Sequence, residues 1–428
     1  MLWALLIIAA TAGAGVLGHA NPYYAQAVKL MEESPLIDTH IDLPQVIRSL
    51  NRRPLDGVPQ LAGTLPGHVD IPRLREGRLG GAFWTVWAPC PDTQGEDPGD
   101  DFNSPTNSLR DSLEIFDLIQ NMILRHPEHL QYAHSSADIK AAFSAGKIAS
   151  LLGMEGTHLL GNSLSVLRVF AQLGVRYLTL THSCHSSFAS SAGYGHPGLV
   201  PVHTDNGLTD LGRELIKELN RLGIMLDLSH TTVETMKQVL AITKAPVVWT
   251  HAGARELCDH PRNVPDEVLR MIGDEPNKNP GVIQSIFYPH FISSGPSANI
   301  SGVADHIEYI ASIAGKKHVG IASDFDGMYA TVDGLEDASK YPYLVAELLS
   351  RGWTEAEMRD VMGGNLMRAM DEVDAVKEQL KDELPSSAVW EKRTDLPATG
   401  WGMVGNVSFF PTEVKKVIDN MYLRHDEL

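Results

Sequence analysis

The sequence predicts a parallel (β/α)8 barrel, and three observations carry that prediction. Eight apolar or β-branched runs recur along the chain, amphipathic helical patterns lie between them, and polar residues close most of the runs. Near-continuous apolar runs alternating with helices mean a parallel sheet buried on both faces. Closed on itself, such a sheet is a (β/α)8 barrel. An open doubly wound sheet would want a Gly-rich phosphate loop after its first strand, and none follows Leu36–Asp42.

In order, the runs are Leu36–Asp42, Gly81–Trp87, Ile148–Glu155, Arg176–His182, Ile224–His230, Pro246–His251, Val282–Tyr288 and Val319–Asp324. Between the fourth and fifth, Leu211, Leu215, Leu219 and Leu222 recur at three- and four-residue steps in Thr209–Leu222, one apolar helical face. Ser163–Leu173 repeats the pattern with Leu164, Leu167 and Phe170. Thr354 and Glu357 form a capping-box signature that opens a helix through Met370.

The polar residues at the run ends point to chemistry. His40 and Asp42 end the first run, Glu155 the third, His182 the fourth, His230 the fifth, His251 the sixth and Asp324 the eighth. Strand side chains alternate, so Asp38, His40 and Asp42 are expected to point the same way. In a parallel barrel all C-terminal strand ends share one face, where such enzymes place their chemistry. Each residue alone reads as a satisfied polar group at a strand edge; seven together do not. Imidazole nitrogens with carboxylate oxygens are a ligand set for zinc or another borderline divalent ion. The set exceeds one tetrahedral site and fits two metals about 3.5–4 Å apart sharing a hydroxide, with Glu155 as the bridging carboxylate. Asp324 is then placed to move a proton and His182 to stabilise an oxyanion.

Composition excludes other classes. The 428 residues are 43% hydrophobic and 21% charged, ordinary globular usage. A formal net charge of −18 argues against nucleic acid or an anionic membrane surface as partner. Leu2–Leu17 is apolar and ends at Gly18-His19-Ala20, which reads as a cleaved signal peptide over residues 1–20, too short and Gly/Ala-rich for a stable membrane span. The n-region lacks Lys and Arg. Asn299 and Asn406 head glycosylation sequons. The three cysteines, Cys90, Cys184 and Cys258, allow one bridge and one free thiol in an oxidising compartment.

The motifs also resemble a known family. Leu36–Pro44, Gly153-Met154-Glu155-Gly156, Gly174–Cys184, Asp227-Leu228-Ser229-His230, Arg262–Asp266 and Asp324-Phe325-Asp326-Gly327 are similar, in order, to the membrane (renal) dipeptidases of the amidohydrolase superfamily. The similarity runs from about residue 34 to 372. It implies a binuclear zinc dipeptidase acting on a broad range of small dipeptides. One zinc would sit on His40, Asp42 and Glu155, the other on Glu155, His230 and His251. His182, Arg262 and Asp324 would meet the substrate, Arg262 clamping its C-terminal carboxylate as a planar fork. Tyr288 occupies the substrate-lining tyrosine position, with core packing as the equal alternative. The resemblance implies a Cys90–Cys184 disulfide and, since dimers are common in the family, a homodimer as one assembly.

Some positions depart from the family. Ser293-Ser294 stands where the partner of Cys258 would be, which leaves Cys258 free, and residue 185 is His where Asn is usual, a change expected at the pocket rim. No apolar tail supports a glycolipid anchor. The barrel domain is expected over 21–380 and a C-terminal extension over 381–428, with Trp390, Trp401 and Phe409-Phe410 packing it back on the barrel. The chain closes on His425-Asp426-Glu427-Leu428, an endoplasmic-reticulum retrieval signal if exposed, so secretion and retention in the lumen are both expectations. The alternative functions are cleavage of another small amide, such as the Cys-Gly bond of a glutathione conjugate, and a non-catalytic relative that binds at the mouth. Intact ligand positions favour the enzyme.

Overall fold

The computed structural model describes residues 21–90, 107–193, 206–295, 298–388, 412–414, 416 and 417. The expected signal peptide, Asn406 and the terminal tetrapeptide lie outside the described residues. Among the described residues no helix is long and apolar enough to cross a membrane.

Nine parallel strands form one sheet. They are β1 (Leu36–Ile41), β2 (Leu79–Val86), β3 (Leu130–Tyr132), β4 (Ile148–Glu155), β5 (Val175–Thr179), β6 (Met225–Asp227), β7 (Val247–Ala252), β8 (Val282–Ser285) and β9 (Val319–Ile321). The order is β1-β2-β4-β5-β6-β7-β8-β9, so all eight anticipated runs are barrel strands. The ring closes through a bridge between Ile41 and Phe325, and Asp42 N–H donates to the Phe325 carbonyl. β3 is additional. It pairs with Ile148–Ser150 of β4, below Leu152–Glu155 where β5 pairs, and at three residues it carries too short a pattern to read from sequence.

Every barrel strand is buried along its length, as expected of a sheet covered on both faces. Ile37, Phe83, Leu151, Tyr177, Met225 and Val248, from six strands, pack as one buried cluster with residues of the surrounding helices. Gly153 makes room there: a Cβ would stand 2.0 Å from the Tyr177 ring. The expected helices form at Leu164–Leu173 and Asp210–Leu222, with Ser163 and Thr209 capping them. The Thr354–Glu357 capping box is present, but its helix differs from expectation. It passes through a π-helical turn at Asp360–Gly364 and continues as Asn365–Gln379. Gly363 lies in that turn against β1, where a Cβ would meet the Pro35 carbonyl at 2.8 Å.

Two strand-level expectations are corrected. Asp38 does not share a direction with His40. A register shift between Asp38 and Ile41 breaks the alternation. The Asp38 carboxylate instead accepts bonds from the Ser323 and His40 amides and the Tyr341 hydroxyl, while Thr39 Oγ1 reaches the Thr250 carbonyl. Several runs also end as strands earlier than expected, so His182, His230, Tyr288 and Asp324 sit on the loops after β5, β6, β8 and β9.

Candidate metal centre

The barrel mouth gathers His40, Asp42, Glu155, His182, His230, His251 and Asp324 into linked groups whose ligand atoms lie within 4.8 Å of one another. Glu155 is central. Its Oε1 lies 2.9 Å from His230 Nε2 and 3.3 Å from His251 Nε2. Its Oε2 lies 3.5 Å from His40 Nε2 and 4.0 Å from His182 Nε2. His40 Nε2 is in turn 3.3 Å from Asp42 Oδ2 and 3.9 Å from Asp324 Oδ1. The groupings are His40/Glu155/His251, Glu155/His182/His230 and His40/Asp42/Asp324, which brings His182 closer to the donors than the sequence implied. A fourth group, Cys90/His158/Cys184, offers no thiolate because Cys90 and Cys184 are disulfide-bonded, as the resemblance implied.

These residues fit a divalent cation. His40 Nε2 and Asp42 Oδ1 are buried without a hydrogen-bond partner among the described residues, and buried polar atoms are rarely left so. Burial holds His230 and His251 well below the ordinary imidazole range and lowers His182 to about 4, so these rings present neutral nitrogens. Burial opposes charge on Glu155, but His40, His182, His230 and His251 outweigh it and hold the carboxyl well below its usual range. For Asp324, burial wins: its carboxyl is pushed well above the ordinary value, with Asp42 and Glu155 adding to the effect.

The loops that carry the site are strained. Five non-glycine residues have positive φ among the described residues, and three of them, His230, Asp324 and Asp326, are at the mouth with φ of 65°, 63° and 68°. Such conformations cost about 1–3 kcal/mol each and persist where surroundings over-determine them. Gly327 permits the tight turn: a Cβ there would stand 2.3 Å from Asp42 Oδ2.

A supporting layer holds these side chains. Asp227 is buried and accepts from Ser229 N, Ser229 Oγ and Thr250 N on Oδ1, and from Thr179 Oγ1 and Thr250 Oγ1 on Oδ2. Ser229 Oγ accepts from His251 N, and Thr250 Oγ1 meets His251 Nδ1 at 3.0 Å. Tyr177 OH lies 2.9 Å from His40 Nδ1. Sequence reasoning assigned no role to Asp227, Thr250 or Tyr177. Asp227 lies in the Asp-Leu-Ser-His stretch, three residues before His230, and Tyr177 in Gly174–Cys184, but a bond to a distant segment leaves no mark in either.

Arg262 and Tyr288 lie in the same neighbourhood. Arg262 is 2% exposed, and its Nε and Nη2 have no hydrogen-bond partner among the described residues. Burial lowers it to about 10, so it is charged near neutral pH, with Asp324 and Glu155 the leading opposite charges. Phe291 lies 5.1 Å from the guanidinium, and the Tyr288 ring lies 4.9 Å from Phe291 and 5.7 Å from Tyr329. His185 is buried, with Nδ1 accepting from Ser191 N at 3.0 Å, so its ring is committed to the loop after β5. Asn299, in the first sequon, is exposed and caps helix Ile300–Ala314 through Oδ1.

A parallel barrel with imidazole and carboxylate donors at the C-terminal ends of its strands is the architecture of a metal-dependent hydrolase. The chain belongs to the membrane dipeptidase family, peptidase family M19, whose model matches residues 24–384, and it is a metallo-dipeptidase. It is similar to a metallopeptidase of Rhodobacter sphaeroides liganded with a phosphinate mimic of the dipeptide L-Ala-D-Ala, at 26% identity and TM-score 0.69, over 79% of this chain and 99% of that one. It is also similar to a family M19 metallopeptidase designated dipeptidase AC, at 27% identity and TM-score 0.68, over 79% and 98% of the two chains. The probable dipeptidase PvdM of Pseudomonas aeruginosa shares the fold at 22% identity and TM-score 0.70, over 84% of this chain and all of that one (100%).

Proposed function

We propose that this metallo-dipeptidase holds two zinc ions, with Glu155 shared between them, and hydrolyses a broad range of small dipeptides. The observation that carries the reading is the Glu155 carboxylate, whose two oxygens face different imidazoles: Oε1 towards His230 and His251, Oε2 towards His40 and His182. His40, Asp42 and Glu155 would hold one ion, and Glu155, His230 and His251 the other. Bound there, the ions would supply Lewis acidity towards the scissile carbonyl and an ionised water at neutral pH.

The chain's own groups do the rest. Arg262 offers the N–H groups of Nε and Nη2, unpartnered among the described residues in a buried setting, which suits the planar C-terminal carboxylate of a dipeptide. The raised Asp324 carboxyl suits a group that takes a proton from the attacking water and hands it to the leaving amine. His182, neutral and beside Glu155, suits a group that stabilises the oxyanion, and Tyr288, packed on Phe291 and Tyr329, would line the pocket. The Cys90–Cys184 disulfide supports an oxidising compartment, in keeping with passage through the secretory pathway.

Metal analysis with dipeptide turnover on the purified chain tests the proposal. Close to two zinc ions per chain and loss of turnover on chelation are expected. One ion per chain with full activity would remove the shared role of Glu155.

A further inference from the structure

His68 and Asp326 form a second buried pair at the mouth, outside the metal groups and unused by the chemistry above. Asp326 Oδ1 accepts the His68 N–H at 2.6 Å, and His68 Nδ1 accepts the Asp326 N–H at 3.0 Å. Two reciprocal bonds thus join the loop before β2 to the turn after β9, positions 258 residues apart. Asp326 Oδ2 has no partner among the described residues, so the carboxylate serves that loop alone.

The loop holding His68 is itself anchored. Asp70 accepts from Leu65 N, Arg73 N and Arg73 Nε, and Arg73 donates on to the Gly67 and Leu65 carbonyls. Gly67 has φ +97°; a Cβ there would stand 2.6 Å from Asp326 Oδ1 and 3.2 Å from Val414 Cγ2. Val414, in the C-terminal segment, is fully buried, and nearby Thr412 Oγ1 donates to the Tyr329 carbonyl. Val414 therefore packs against the loop at Gly67, and Thr412 holds the segment just past the turn at Tyr329.

The turn needs such support. Asp324 and Asp326 are both left-handed, a conformation that L-residues with a Cβ avoid. Relaxation of either residue would redirect the Asp324 carboxyl, whose Oδ1 stands 3.9 Å from His40 Nε2. We infer that His68 and Asp326 are a positioning pair that fixes the direction of the Asp324 carboxyl, with Val414 packed behind the loop. The inference rests on the proton-carrier role proposed for Asp324.

The test uses kcat, KM and metal content of the full chain. His68→Ala and Asp326→Ala should lower kcat at least tenfold, with KM within about twofold and metal content unchanged. His68→Asn and Asp326→Asn, which keep an acceptor near Nδ1 and at Oδ1, should recover most of the loss. Val414→Ala, the mildest change, should lower kcat a few-fold without moving KM. In an Asp324→Asn background, His68→Ala should cost nothing further. Alanine variants that keep kcat within twofold, or losses that add in the Asp324→Asn background, overturn the inference. If the alanine variants do not fold, an unchanged kcat in Val414→Ala overturns it instead. Failure of the proton-carrier reading shows separately, as an Asp324→Asn single variant that keeps its kcat.

Discussion

Thr250 Oγ1 donates its only proton to Asp227 Oδ2 at 2.7 Å, and this fixes the tautomer of the neighbouring His251. With that proton committed, the contact at 3.0 Å to His251 Nδ1 has the imidazole as donor. Nε2 of His251 is then a bare lone pair, 3.3 Å from Glu155 Oε1. Outer partners of this kind orient metal-binding imidazoles and strengthen them as ligands.

Thr250→Val keeps the shape of residue 250 and removes this bond. It leaves the His251 Nδ1–H without a buried acceptor, a loss of about 1–3 kcal/mol. Metal affinity, read by competition with a chelator, should fall about 10–100-fold. Unchanged affinity would show that something other than Thr250 sets the ring.

Arg262→Ala removes a buried guanidinium whose Nε and Nη2 are unpartnered among the described residues. KM should rise and kcat/KM should fall by about the 1.5–3 kcal/mol of a charge-assisted bond. A dipeptide amide should mimic that loss with the unaltered enzyme and lose little more with the variant. Equal cleavage of amide and free acid by the unaltered enzyme would dismiss Arg262 as the carboxylate clamp and widen the activity beyond dipeptides.

Cys258 is free, as the missing partner cysteine implied, but it is also buried at 3% exposure. Alkylation should therefore need denaturant, while peptide mapping without reductant recovers Cys90 joined to Cys184. Rapid alkylation of Cys258 in the native protein would mean that the loop at Ser294 opens readily. Replacing Cys90 by Ser should cost about 2–5 kcal/mol of stability.

His158 donates Nε2–H to the Ala88 carbonyl, and burial lowers its pKa to about 4. In the unfolded chain an imidazole titrates near 6.5, so between those values the unfolded state binds a proton that the folded state refuses. Stability should fall as pH drops from about 6.5 towards 4, by about 1.4 kcal/mol per unit for this group. His158→Gln, which retains a donor near Nε2, should flatten that part of a denaturation-against-pH curve. An equally steep curve in the variant would assign the dependence to other groups.

The sequence by itself determined the barrel and the run-end side chains that gather at its mouth. Apolar runs and helical periodicity are local signals, and a parallel barrel brings every run end to one face, so His40, Glu155 and His251 were legible without coordinates. The tertiary structure decided direction. His230 and Asp324 reach the mouth from left-handed turns past their strands, and a register shift in β1 turns Asp38 away to Ser323, 285 residues distant. It also decided the supporting layer, in which Asp227, Thr250, His68 and Asp326 act through bonds between segments remote in the chain. Neither could be read in advance, because strand alternation speaks only for regular backbone and a hydrogen bond between distant loops leaves no periodic trace in the chain.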